Sequence, residues 1–248
     1  MLARRMVVQG CGLAIAGLVG CRRAPDAFGE QPGVASAGLV VQAGDSIGVG
    51  LGANNYAAID HMGLDPAPDV RNHSVGGRTM QIGFEGAAEL TANYDPTLTC
   101  VLLIEQGTND LGGGRTASDL YESIATLFVD TVRSAGFYVV LNTILPRADL
   151  SWDAGKEAER IRYNKLVRAN EVGVDAINDV AADPIIGDAG ANPRVSPYYA
   201  DALHPTVLGQ KRLAILDAAV LRPLLARAPR SASRAASVFM GSGANPSR

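Results

Sequence analysis

Aromatic residues make up only 5% of the 248 positions, and the chain has three cysteines and three histidines. So few cysteines exclude a disulfide-stapled scaffold. No His/Cys cluster has metal-ligand spacing. Charge is sparse and balanced, 22 Lys and Arg against 25 Asp and Glu for a net -3, without a basic stripe. That argues against nucleic acid as a partner. No apolar run reaches the roughly 20 residues a spanning helix needs. Small and apolar residues are plentiful, with 28 glycines and a hydrophobic share of 47%. That composition fits an ordinary globular chain, and the length fits one domain.

The N-terminus reads as an export signal. Arg4 and Arg5 precede the small-residue apolar stretch Met6–Gly20, which is too short and Gly-rich to span a bilayer. It ends in Leu18-Val19-Gly20-Cys21, which resembles a bacterial lipobox and implies lipidation of Cys21. The expected organisation is a signal peptide over 1–20, a lipid-anchored linker over 21–37, a catalytic domain over 38–228 and a disordered tail over 229–248. The protein is therefore expected to be exported to the cell envelope and held at a membrane by its anchor. Cys100 opens the run Cys100–Ile104 and reads as a buried small hydrophobe.

Short runs rich in Val, Leu and Ile alternate with longer helical patterns. Strands are expected over Gly38–Ala43, Val70–Val75, Thr99–Glu105, Phe137–Thr143 and Val174–Asn178. Helices are expected over Ser118–Ala135, Asp153–Val172 and Pro205–Leu225, with a weaker one over Met80–Leu90. Strands alternating with helices imply crossover units and a parallel sheet with helices on both faces. Pro205 suits the first turn of the last helix, where its missing N–H has no partner to lose.

Asp201-Ala202-Leu203-His204 places a carboxylate three residues before an imidazole, the base half of a serine hydrolase site. Gly44-Asp45-Ser46-Ile47-Gly48 follows the first strand and offers a hydroxyl. It satisfies the G-x-S-x-G of a nucleophile elbow, but that fold needs several strands before the elbow and only one precedes it here. Gly48-x-Gly50-x-x-Ala53 also mimics a dinucleotide fingerprint, yet the second strand ends in Arg71-Asn72-His73-Ser74, not in the required acid.

Four blocks taken together resemble the SGNH (GDSL-type) hydrolase family. They are Gly44-Asp45-Ser46, Asn72–Thr79 with its Gly76-Gly77 pair, Gly107-Thr108-Asn109-Asp110, and Asp201–Pro205. They occur in family order over nearly the whole domain, each at an expected strand exit. The resemblance implies a three-layer α/β/α sandwich with a flavodoxin-like parallel sheet of about five strands. It also implies a serine esterase acting through an acyl-enzyme, with no cofactor or metal. Ser46 would attack, His204 would move the proton and Asp201 would orient the imidazole. The backbone N–H groups of Ser46 and Gly77, with the Asn109 side-chain amide, would hold the oxyanion. The expected substrate is a small ester or an acylated carbohydrate, a polysaccharide O-acetyl group being the first guess. A lysophospholipase, a thioesterase of the same family, or a non-catalytic envelope lipoprotein are the alternatives.

Other candidates read as structural. Asp45 is expected to point away from Ser46 and brace its loop, and Asp110 to cap or brace the next one. His73 and Ser74 face opposite ways on a strand, and His61 reads as a packing residue. Arg78 is expected to be solvated. The stretches 51–64, 111–116 and 183–200 are expected to shape the pocket.

Overall fold

Three runs buried along both faces form the middle of the sheet: β1 (Leu39–Gly44), β3 (Cys100–Glu105) and β4 (Tyr138–Asn142). Strands covered on both sides need apolar residues at every position, so continuous runs replace the alternating pattern. The computed structural model describes residues 38–80, 87–124 and 129–232. The signal peptide, the lipobox with Cys21 and most of the expected tail lie outside these residues.

Two shorter strands flank the middle three, β2 (Asp69–Asn72) and β5 (Ala176–Asn178). The order is β2-β1-β3-β4-β5, and every pairing is parallel. The direction in which strands are added reverses between β1 and β3, so the crevice outside their carboxyl ends is the switch point where such sheets bind ligands. Gly44 at the end of β1 pairs in register with Glu105 at the end of β3.

Alternate residues send side chains to opposite faces. Val41, Leu102 and Val139 pack on one side with Leu90 of α2 (Ala87–Thr91), Leu120 of α4 (Ala117–Ser123), Val132 of α5 (Asp130–Ser134) and Tyr163 of α6 (Ala154–Ala169). Val40, Leu103 and Val140 pack on the other with Leu221 and Leu224 of α7 (Val207–Leu225) and Ile59 of a 3-10 turn, Ala58–His61. The expected three-layer α/β/α sandwich is therefore observed.

Element ends differ from the sequence reading for local reasons. Asp153 caps α6 by accepting the Lys156 N–H, and Asn170 ends it in the left-handed region at φ 52, before Val172. Asn tolerates that conformation because its side chain bonds locally; here its amide donates to the Val174 carbonyl. Pro205 is not in the first turn of α7: it pairs with Tyr199 in an isolated bridge, and Thr206 is the cap. The helix expected over 118–135 is described as α4 and α5, residues 125–128 lying outside the described set, as do 81–86 before α2. Arg230, beyond the expected domain end, is docked on the domain. Its guanidinium pairs with Asp175 and lies 4.1 Å from the Tyr138 ring centroid, while its carbonyl accepts the Tyr94 hydroxyl.

Among the described residues no helix is long and apolar enough to cross a membrane, and no cluster of three or more His, Cys, Asp or Glu could hold a metal.

Candidate active site

Ser46 starts α1 (Ser46–Val49), a single turn that begins where β1 ends. Asp45 caps that turn: its Oδ1 accepts the Ile47 N–H at 3.0 Å, so its side chain braces the loop. Ser46 is itself buried to 5% exposure. Across the crevice the loop before α7 brings in His204, whose Nε2 lies 2.9 Å from Ser46 Oγ. His204 Nδ1 is 2.7 Å from Asp201 Oδ2, and Asp201 Oδ1 accepts the His204 backbone N–H, also at 2.7 Å. The three residues thus form one hydrogen-bonded chain from carboxylate through imidazole to hydroxyl.

Partial burial alone would raise the Asp201 carboxyl. The hydrogen bonds from the His204 N–H and ring and from the Leu203 N–H outweigh it and hold the group below its ordinary value. An anionic Asp201 favours the tautomer with a proton on Nδ1, which leaves Nε2 free to accept the hydroxyl proton.

Asn109 lies on α3 (Thr108–Gly112), just past β3. Its Nδ2 donates to the Arg78 carbonyl at 3.0 Å and, more weakly, to Asp45 Oδ2 at 3.4 Å. It therefore joins the Ser46 loop to the loop after β2. In that second loop Arg78 N–H bonds the Val75 carbonyl at 3.1 Å, and Gly77 has φ +75 at the third position. Such a turn demands a residue at ease with positive φ, which explains the glycine. Asp110 accepts the Met80 N–H with both oxygens and pairs with Arg115, the bracing role expected of it.

His73 is paired with Glu89 and Asn93, away from a dyad with Ser74. His61 stacks on Tyr56 with ring centroids 3.7 Å apart. Cys100 is fully buried. Arg78 corrects the reading of a solvated side chain: its guanidinium donates to the His73 carbonyl at 2.7 Å, and its Nε is buried.

Three supporting residues escaped the sequence reading. Gln210 of α7, fully buried, donates to the Ile47 carbonyl at 2.8 Å and accepts the Ala58 N–H at 3.1 Å. Only a pairing across the fold reveals it. Gly52, at φ +86, lets the chain after α1 press against His204; a Cβ there would stand 2.8 Å from the His204 Cβ. Glu105, at the end of β3, has its Oε2 buried although the residue as a whole is half-buried. Burial, then the nearby Asp45 and Asp217 carboxyls, push its carboxyl well above the ordinary range.

Beside Asp201 lies an open groove of about 700 Å³, lined among others by Asp149, Leu150, Ser151, Arg194 and Tyr199. Residues 193–194 and 199–200 border it on one side and the 148–151 segment on the other.

A hydroxyl bonded to a carboxylate-held imidazole, at the switch point of a parallel α/β sheet, defines a serine hydrolase. A sequence model of the GDSL-like Lipase/Acylhydrolase family matches residues 43–212, and the chain belongs to that family. Among solved structures it resembles TesA, at 24% identity over 75% of this chain and 99% of that one, with a TM-score of 0.58. A mutant of Axe2, an acetyl-xylooligosaccharide esterase from Geobacillus Stearmophilus, aligns at 17% identity over 79% of this chain and 98% of that one, with a TM-score of 0.57. The psychrotrophic esterase EstA from Pseudoalteromonas sp. aligns at 16% identity over 77% and 100%, with a TM-score of 0.53. At these identities the likeness is one of fold. A comparison with curated proteins finds no match.

Proposed function

We propose that Ser46 is the nucleophile of a carboxylic ester hydrolase, with His204 as its base and Asp201 as the group that orients the base. The 2.9 Å contact between Ser46 Oγ and His204 Nε2 carries this reading. Oγ bonds to the ester carbonyl carbon while its proton passes to Nε2, and the carbonyl electrons move onto oxygen. Collapse of that intermediate expels the alkoxide, which takes the proton from His204. Water, activated by the same imidazole, then releases the acid and restores Ser46.

The oxyanion donors in this proposal are the N–H groups of Ser46 and Gly77 and the Asn109 amide. One Asn109 N–H is committed to the Arg78 carbonyl at 3.0 Å. The other has only the 3.4 Å contact with Asp45 and is the one assigned to the oxyanion. Losing one such donor costs on the order of 10²–10³ in turnover. A fluorophosphonate probe should label the wild type and leave Ser46→Ala unlabelled; equal labelling would refute the assignment.

For the substrate we propose a short acyl group, acetyl first, on a carbohydrate. The groove beside Asp201 is roomy, and Asp149, Ser151 and Arg194 on its walls suit hydroxyl-rich alcohols. The acetyl-xylooligosaccharide esterase relative is in keeping with this choice. One observation favours a second reading, a lysophospholipase or thioesterase: Leu150 on the same groove is 99% exposed, a site for a long acyl chain. Initial rates on nitrophenyl esters from acetyl to palmitoyl separate the two. Export and anchoring through Cys21 belong to the same proposal and rest on the lipobox; insensitivity of processing to globomycin would remove them.

A further inference from the structure

Behind the Ser46 turn the ends of β1, β3 and β4 surround a small cavity with about 20 Å³ of room for water. Its polar lining is Asp45, Glu105, Gln106, Thr108, Asn142 and Thr143, the last already donating to Asp179 and accepting the Ala181 N–H. Asp45, Gln106, Thr108 and Asn142 are more than nine-tenths buried. Both amide atoms of Gln106, Thr108 Oγ1 and Asn142 Oδ1 are all buried with no hydrogen-bond partner among the described residues. Buried polar side chains are nearly always paired, so the four such atoms on Gln106, Thr108 and Asn142 around one cavity call for an occupant.

We propose that this cavity is a built site for one water molecule, which links the loop of Ser46 to the loop of Asn109 and so positions the nucleophile. The space suffices, since a water needs on the order of 10–15 Å³. The chemistry also matches. The lining is rich in acceptors, the Asn142 and Gln106 carbonyl oxygens and the carboxyl oxygens, and Gln106 Nε2 is a donor. Water supplies two donors and accepts from an amide.

Two carboxyls, those of Asp45 and Glu105, flank the site. Asp45 has the Ile47 N–H and the Asn109 amide to stabilise its charge. Burial lifts Asp45 to about 7 and pushes Glu105 well above its ordinary value, against the backbone N–H groups of Asp45 and Gly48 that pull Glu105 down. Asp217 and Asp110 also raise these groups, and Arg147 is the cation that opposes the effect on Asp45. Asp45 directly precedes Ser46, and Thr108 directly precedes Asn109. The bridge therefore sits between the proposed nucleophile and the proposed oxyanion amide, and its positioning role rests on that assignment.

A crystal structure of the full chain that orders buried waters tests the site itself. One ordered water within about 2.7–3.2 Å of at least three of these residues is expected. An empty cavity, or an atom at the 2.3–2.6 Å typical of a metal ion, overturns the proposal. This arm is independent of what Ser46 does, which the fluorophosphonate label decides separately. The positioning role is tested with Thr108→Val, which removes the hydroxyl at nearly constant shape. We expect kcat on a nitrophenyl ester to fall about tenfold with KM unchanged, and Thr108→Ser to restore most of it. Wild-type kcat in Thr108→Val, or a Thr108→Ser as slow as the valine, overturns the role. Asn142→Leu, which fills the cavity from a residue adjacent to neither Ser46 nor Asn109, should show the same loss in kcat.

Discussion

Asp201 grips His204 twice, its Oδ1 accepting the backbone N–H and its Oδ2 facing ring Nδ1, both at 2.7 Å. The turn from Asp201 to His204 closes on itself with Ala202 at φ +62, a left-handed conformation uncommon for alanine. One carboxylate therefore sets both the path of the loop and the orientation of the ring.

The double grip separates orientation from folding in Asp201→Asn. The amide oxygen still accepts the backbone N–H, but the amide nitrogen presents a donor to Nδ1 and favours the wrong tautomer, with Nε2 protonated. Turnover of a nitrophenyl ester should fall by about 10²–10⁴. The Asp201 side chain is 55% exposed, so Tm should move by no more than a few degrees, about 0.5 kcal/mol or less. Unaltered turnover would remove Asp201 from the mechanism.

The central strands and the Asp201–His204 pair were legible because each rests on short-range pattern, whereas Ser46, 158 positions from His204, was reached through the resemblance of four blocks to a family. β1, β3 and β4 are runs buried at nearly every position, and Asp201 and His204 lie three residues apart. The edge strand was less legible. Expected over Val70–Val75, β2 stops at Asn72, where the Asn72 side chain turns back to accept the Ser74 N–H and to donate to the Gly48 carbonyl. The supporting layer was not legible at all. Gln210 lies 163 positions from Ile47, and no local periodicity marks a polar residue that faces inward on an amphipathic helix.

Gly52 stands where the chain after α1 touches the His204 loop. A Cβ added there meets the His204 Cβ at 2.8 Å and the Pro205 carbonyl oxygen at 3.1 Å, in a backbone conformation of φ +86 that side chains resist. Gly52→Ala should displace the imidazole from Ser46. A misplacement of about 1 Å can cost 10²-fold, so kcat should fall between about tenfold and a hundredfold, with a lower Tm. Wild-type kcat in a folded variant would show that the His204 loop yields without moving the ring.

Gln210 ties α7 to the Ser46 turn and to the 3-10 turn at Ala58. Gln210→Leu keeps the volume roughly constant and leaves the Ile47 carbonyl and the Ala58 N–H without these partners. Each unsatisfied buried group costs about 1–3 kcal/mol, so urea unfolding should show a loss of about 2–4 kcal/mol. Gln210→Glu should lose less, since the Ala58 N–H keeps its acceptor. A loss below about 0.5 kcal/mol in the leucine variant would mean that water replaces both bonds.

Asp217 lies buried beneath the sheet, its Oδ1 accepting the Asn178 amide at 2.8 Å. Burial raises its carboxyl to about 7 from 3.8, although that hydrogen bond pulls the other way. Between those values the folded chain binds the proton and the unfolded chain does not. The stability this group contributes is therefore fully present below about pH 4 and is lost as pH rises through 7. From pH 5 to 7 the loss amounts to about 2 kcal/mol. Asp45 and Glu105, raised in the same direction, add to the slope in wild type and variant alike. Asp217→Asn keeps an oxygen for Asn178 and cannot ionise, so its stability should fall less steeply over the same interval. Urea unfolding at pH 5, 6 and 7 measures both slopes, and equal slopes would mean that Asp217 ionises in the fold as readily as in water.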